Sequence, residues 1–172
     1  MPEGRSSAPA VEDTACDELL GLMRQRLLLM HDVARWKWNE GKPIADPDRE
    51  RQLLAKLEKR GESYGLARQK TTAFMTAQIE AGKLVQESDF ATWEEQGQDK
   101  FSEVRDLSTE LRPLIDELSD RMLAQLAKSV AVIDEPVRPK IEQRANVILR
   151  GEGIDEAVRA AAIQPLLRGP EK

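Results

Sequence analysis

One cysteine and one histidine in 172 residues leave several chemistries without raw material. A lone Cys16 cannot form an intrachain disulfide, and His31 has neither a second histidine nor a Cys-x-x-Cys beside it. A metal centre and a Cys-His or Ser-His nucleophile therefore find nothing to build on. No glycine-rich phosphate loop follows a strand. Aromatics make up 4% of the chain and β-branched runs are scarce, which argues against a sheet. No apolar run reaches the roughly 18 to 20 residues of a membrane span, and the opening MPEGRSSAPAVEDTAC has no apolar signal core. With a net charge of −5 and no basic tract, nucleic acid and anionic membrane surfaces are poor partners.

What is present is helical. Apolar residues at 40% and charged residues at 33% match a soluble helical domain with a real core. Residues 1 to about 12, rich in Pro, Ser, Ala and Gly, read as a disordered leader. A first helix is expected from Thr14 to Trp38 or Asn39, stopped by EGKP. Asp46 as N-cap and Pro47 at the first helical position restart the chain, and that helix ends near GESYG. A third helix spans about Ala67 to Glu94 and breaks at EQGQDK. A fourth runs through FSEVRDLSTELRPLIDELSDRMLAQLAKSVAVI with a kink expected at Pro113, and DEPVRPK stops it. Two shorter helices follow, about Pro139 to Arg150 and Asp155 to Leu167. The fold class is all-α, a bundle of about six helices.

The first helix carries an anomaly. At 100° per residue, Arg26 and Lys37 lie eleven positions and only about 20° apart, and Leu19, Leu22, Met23, Leu29, Met30 and Val33 project within about 60° of Arg26. Arg24, His31, Asp32 and Arg35 project to the other side. Two permanent cations thus sit in the apolar stripe, where an unpaired charge costs several kcal/mol. Three further residues stand out. Arg49 occupies the first turn of the second helix among Asp46, Asp48 and Glu50, where the helix dipole disfavours a cation. Gln86 projects among Met75, Ile79, Phe90 and Trp93, with Gly82 one turn earlier. Arg112 precedes Pro113, and an ideal helix turns it away from the Leu107–Leu111–Leu114–Leu118 face. Taken singly, each has a bland reading: snorkelling side chains, a surface salt-bridge cluster, a satisfied core amide, a solvated arginine.

Taken in order, they form a pattern. Arg26, Lys37 eleven residues on, Arg49 twelve further inside DPDRERQLLAKL, and Gln86 in a later helix resemble the all-helical AroQ-type chorismate mutases. The resemblance covers roughly residues 19–123 and is strongest over 26–57. The block RPLIDELSDRML resembles the secreted gamma subclass, in which an arginine of the same chain completes the site. The resemblance implies one chorismate mutase domain over 13–172, with core catalytic helices in 13–95 and C-terminal helices in 96–172 that supply Arg112. It implies Lys37, Gln86, Arg26 and Arg49 as catalytic residues and Arg112, Glu50, Asp46 and Gly82 as substrate-binding residues. Gly82 stands where the family often has a small hydroxyl residue.

The implied substrate is chorismate, a dicarboxylate that rearranges to prephenate without cofactor, metal or proton transfer. Also implied are a homodimer with independent active sites and a periplasmic or secreted location, with a cytoplasmic one as the alternative. Two rival readings stay open at this point: an isochorismate-pyruvate lyase-like enzyme using a similar cationic pocket, and a helical interaction protein that holds a partner helix in a groove.

Overall fold

A computed structural model describes residues 11–130 and 138–167, and no strand occurs among them. Six helices follow one another: α1 (Val11–Glu40), α2 (Pro47–Ser63), α3 (Arg68–Gln96), α4 (Arg112–Val130), α5 (Arg138–Ile148) and α6 (Glu156–Leu167). A π-helical turn, Leu107–Leu111, leads directly into α4. Residues 1–10 of the expected leader, the end of the fourth helix beyond Val130 and the first four residues of DEPVRPK lie outside the described residues; residues 11–12 of the expected leader belong to α1, and Arg138 to Lys140 open α5. No helix among the described residues is long and apolar enough to cross a membrane.

The long α1 is the axis of the bundle. It packs on α3, α4 and α5, while α2 bridges α3 and α4, and α6 lies along α3. Leu19, Leu20, Met23, Leu27, Met30 and Val33 of α1 are buried, and each such side chain contributes about 1.5–3 kcal/mol of burial. Punctuation follows the sequence. Gly41 and Gly97 take left-handed φ of 62° after α1 and α3. At the start of α2, the Asp46 carboxylate accepts from Arg49 N–H at 3.2 Å, and Glu50 Oε2 accepts from Asp46 N–H at 3.0 Å. This reciprocal cap, with Pro47 behind it, fixes the corner on which Arg49 and Glu50 stand.

The bend expected at Pro113 takes another form. Proline lacks an N–H, and its ring crowds the carbonyl four residues back. The chain widens just before it: Arg112 N–H bonds Leu107 C=O, five residues earlier. Asp106 caps this wide turn, accepting from Ser108 N–H at 2.9 Å and Thr109 N–H at 2.8 Å, and Glu110 reaches back to Asp106 N–H at 2.7 Å.

His31 corrects the sequence reading. It projects away from the apolar stripe but is buried, with Nδ1 2.6 Å from Asp89 Oδ2 of α3 and Nε2 2.7 Å from the Glu152 carbonyl. Both neighbours are acceptors, an arrangement that favours the doubly protonated ring, in which both nitrogens donate. The left-handed Gly153 (φ 74°) lets the 151–154 loop approach: a Cβ there would stand 2.7 Å from His31 Cε1. The Asp89 hydrogen bond, followed by the Glu152 carbonyl, raises the His31 pKa above its ordinary 6.5 against the opposing effect of burial. A raised folded-state pKa contributes stability that is fully present below the unfolded value and is lost as pH rises through the folded one. Thermal melts should therefore show Tm falling as pH rises from 6 to 9, and His31→Gln should remove that component. Equal pH slopes in the two proteins would show that the ring is not held as a cation.

Candidate functional site

A cavity of about 580 Å³ lies between α1, α2, α3 and the π turn with α4, and the 42–46 segment forms one wall. The volume is in the range of small-molecule sites. Its lining is electrically lopsided. Six cations (Arg26, Lys37, Lys42, Arg49, Lys83 and Arg112) face three carboxylates, Asp46, Glu50 and Asp116, an excess of three positive charges in a chain of net charge −5.

Arg26 is the deepest of them. It is only 5% exposed, and its Nη1 donates to the Gln78 carbonyl of α3 at 2.9 Å. Its Nε has no hydrogen-bond acceptor, and no carboxylate among the described residues pairs with it. Burial holds its pKa down to about 10, so it stays charged at neutral pH. A buried cation without a counter-ion costs several kcal/mol, and a bound anion relieves that cost. Beside it Gln86 is buried as well. Its Nε2 makes only long contacts, 3.4 Å to Gly82 O and 3.6 Å to Met30 Sδ, and its Oε1 has no partner.

Lys37, one stripe period on, is half-buried and donates to the Ile44 carbonyl at 2.7 Å, which ties the 42–46 segment to α1. Burial lowers its pKa, while Glu50 and Asp46 oppose the shift. Arg49 and Arg112 line the cavity and make no ion pair with a carboxylate among the described residues. Arg112 touches Ser108 Oγ at 3.4 Å. The wide turn accounts for its direction: a π turn advances less than 100° per residue, so Arg112 falls on the pocket side where uniform α-helical projection turns it away. Glu50 spans the floor, Oε1 to Lys83 Nζ at 2.8 Å and Oε2 to Asp46 N–H.

Seven of the eight expected site residues thus converge on one cavity, and Gly82 does not line it. A Cβ at Gly82 would lie 3.0 Å from Met30 Sδ and 3.4 Å from Arg26 Nη1. The glycine's role is packing: it lets α1 approach α3 so that Arg26 reaches Gln78. Its backbone carbonyl accepts a long contact from Gln86 Nε2, so Gly82 stands against two residues that do line the site.

Sequence reasoning missed Lys83, Lys42, Asp116 and Trp36, all of them on the wall. Lys83 could have been found, because it lies about 60° from Gln86 and 40° from Ile79 around α3. Trp36 of α1 stands near Asp106, the cap of the π turn, and helps to hold its carboxylate below the usual range after the Thr109 hydrogen bonds.

This arrangement suits a compact dianion. A family model described as chorismate mutase type II matches residues 13–87. The crystal structure of a chorismate mutase from Burkholderia thailandensis superposes with a TM-score of 0.81, at 32% identity over 89% of this chain and 99% of that one. The chain belongs to the chorismate mutase type II family. Two further relatives are each named secreted chorismate mutase. That of Mycolicibacterium smegmatis is 29% identical over 92% of this chain and 87% of its own length. That of Mycobacterium tuberculosis is 29% identical over 93% and 80%. The family match ends at residue 87, whereas the likeness to whole chorismate mutases extends through the C-terminal helices.

Proposed function

We propose that this chain is a chorismate mutase that converts chorismate to prephenate in the cavity between α1, α2, α3 and α4. The observation that carries this reading is Arg26, a charged guanidinium buried against the cavity and paired with no carboxylate among the described residues. The reaction is a Claisen rearrangement. The ether C–O bond breaks while a C–C bond forms in one cyclic shift of electrons, and no proton or electron leaves the substrate. The protein's work is to hold the flexible molecule in its compact conformer and to stabilise charge on the ether oxygen. Arg26, Arg49 and Arg112 clamp the two carboxylates with planar forks. Lys37 and Gln86 donate to the ether oxygen, and Gln86 gives up only its long contacts to do so. Glu50, braced by the Asp46 backbone, accepts from the ring hydroxyl.

We place residues 13–172 in one domain, with the catalytic helices in 13–95 and the later helices supplying Arg112. Because one chain encloses the cavity, a homodimer of the kind the gamma subclass implies carries two independent sites. The secreted relatives support a periplasmic or extracellular place of action. The test is loss of chorismate absorbance on adding purified protein, with the product identified and isochorismate run in parallel. Prephenate from chorismate is the expected result. Pyruvate release from isochorismate with chorismate untouched would assign the lyase reaction instead. If neither reacts and chorismate fails to raise Tm, the pocket is not an enzyme site for these substrates.

A further inference from the structure

We propose that Lys83 is a positioning residue that holds the Glu50 carboxylate charged and correctly oriented, so that turnover persists into mild acid. The proposal deepens the chorismate mutase reading and rests on it. Lys83 projects from α3 one turn before Gln86, is 20% exposed at its side chain, and bridges two acids: Glu50 at 2.8 Å and Glu80 at 2.7 Å. Glu50, at 22% exposure, is the inner of the two; Glu80, at 56%, is the outer. Lys83 is thus a strut from the solvent edge of α3 to the floor of the cavity.

The geometry fixes Glu50 from both sides. Lys83 Nζ holds Oε1 and Asp46 N–H holds Oε2, and each oxygen keeps a second lone pair for a ligand hydroxyl. The charged groups around this carboxylate are Lys37 from α1, Asp46 and Arg49 from the start of α2, Lys83 and Glu80 from α3, and Arg112 and Asp116 from α4. Burial pushes the Glu50 pKa up, yet the Lys83 and Asp46 hydrogen bonds and the Lys83 and Lys37 charges bring it below the ordinary carboxylate value. Removing Lys83 deletes its hydrogen bond and its charge together and leaves the burial in place. Glu50 then takes up a proton at a higher pH. A carboxyl proton facing the cavity makes it a poorer acceptor for a ligand hydroxyl. Gln86 is a neutral amide throughout and adds no titration of its own.

The experiment measures kcat/KM for chorismate from pH 4.5 to 8 in wild type, Lys83→Met, Lys83→Arg and Glu50→Gln. Wild type should be nearly level from pH 5 to 8. Lys83→Met should stay within about threefold of wild type at pH 8 and fall about tenfold or more at pH 5, the size expected for weakening one charge-assisted hydrogen bond. Lys83→Arg should restore much of the loss at pH 5, and Lys83→Met on the Glu50→Gln background should add no acid limb. Circular dichroism and Tm across the same pH range verify folding, and Lys83→Gln serves if the methionine variant is unstable. A uniform loss at every pH, or an unchanged profile, overturns the assignment. Wild-type protein that leaves chorismate untouched overturns the enzymatic reading itself, and the two failures are told apart by that first curve.

Discussion

Lys37→Ala should lower kcat/KM for chorismate by at least about a hundredfold in a protein that still folds. The size is that of removing one preorganised donor from the atom where negative charge grows. The folded state loses only the bond from Nζ to the Ile44 carbonyl, about 1 kcal/mol for a half-buried contact, so the melting transition should stay close to wild type. Lys37→Arg should fail almost as badly, because a planar fork cannot place a single proton where the compact ammonium does. Steady-state assays with calorimetric melts separate these outcomes. Turnover near wild type in a folded Lys37→Ala protein would remove Lys37 from the reaction and leave it as the tether of the 42–46 segment.

The second large effect has two opposite signs in one variant. Arg26→Met should abolish turnover by a hundredfold or more and, at the same time, leave the ligand-free protein as stable as wild type or more so. The guanidinium is 5% exposed, pairs with no carboxylate among the described residues, and keeps Nε unpartnered, so without an anion it is an uncompensated charge. Replacing buried ionic groups by well-packed apolar ones has been neutral or stabilising by about 1–4 kcal/mol. The Gln78 carbonyl that Arg26 bonds belongs to the interior of α3, so the helix ladder still serves it. Conversely, chorismate should raise the Tm of wild type and not that of the variant. A strongly destabilised Arg26→Met protein would mean that the guanidinium is a structural pillar and would undercut the claim that the cavity awaits an anion.

How much of this was legible beforehand differs from residue to residue. Asp46, Pro47 and Glu50 announced the start of α2 because capping chemistry is local, and the observed cap uses those groups. Arg26 and Lys37 were found because one straight α-helix obeys one angular period over eleven residues. His31 was misread because projection equates the far side of a helix with solvent. Here the 151–154 loop, more than a hundred residues away in sequence, covers that side. Arg112 could not be oriented by periodicity because the five-residue turn before it has a different period, and only the resemblance put it in the site. Gly82 was assigned to the ligand because the family often places a hydroxyl there. Its packing against Met30 and Arg26 across the interface could not be read from α3 alone. Lys83 was overlooked although it shares the Gln86 face, since a lysine flanked by acids reads as ordinary surface.

One consequence follows from the capped π turn. By swinging Arg112 of α4 over the mouth of a cavity built from α1, α2 and α3, it gathers every lining group onto a single covalent strand. Groups carried on one chain keep their mutual spacing at any dilution, since the same backbone holds Arg26, Lys37, Arg49 and Arg112 around the cavity.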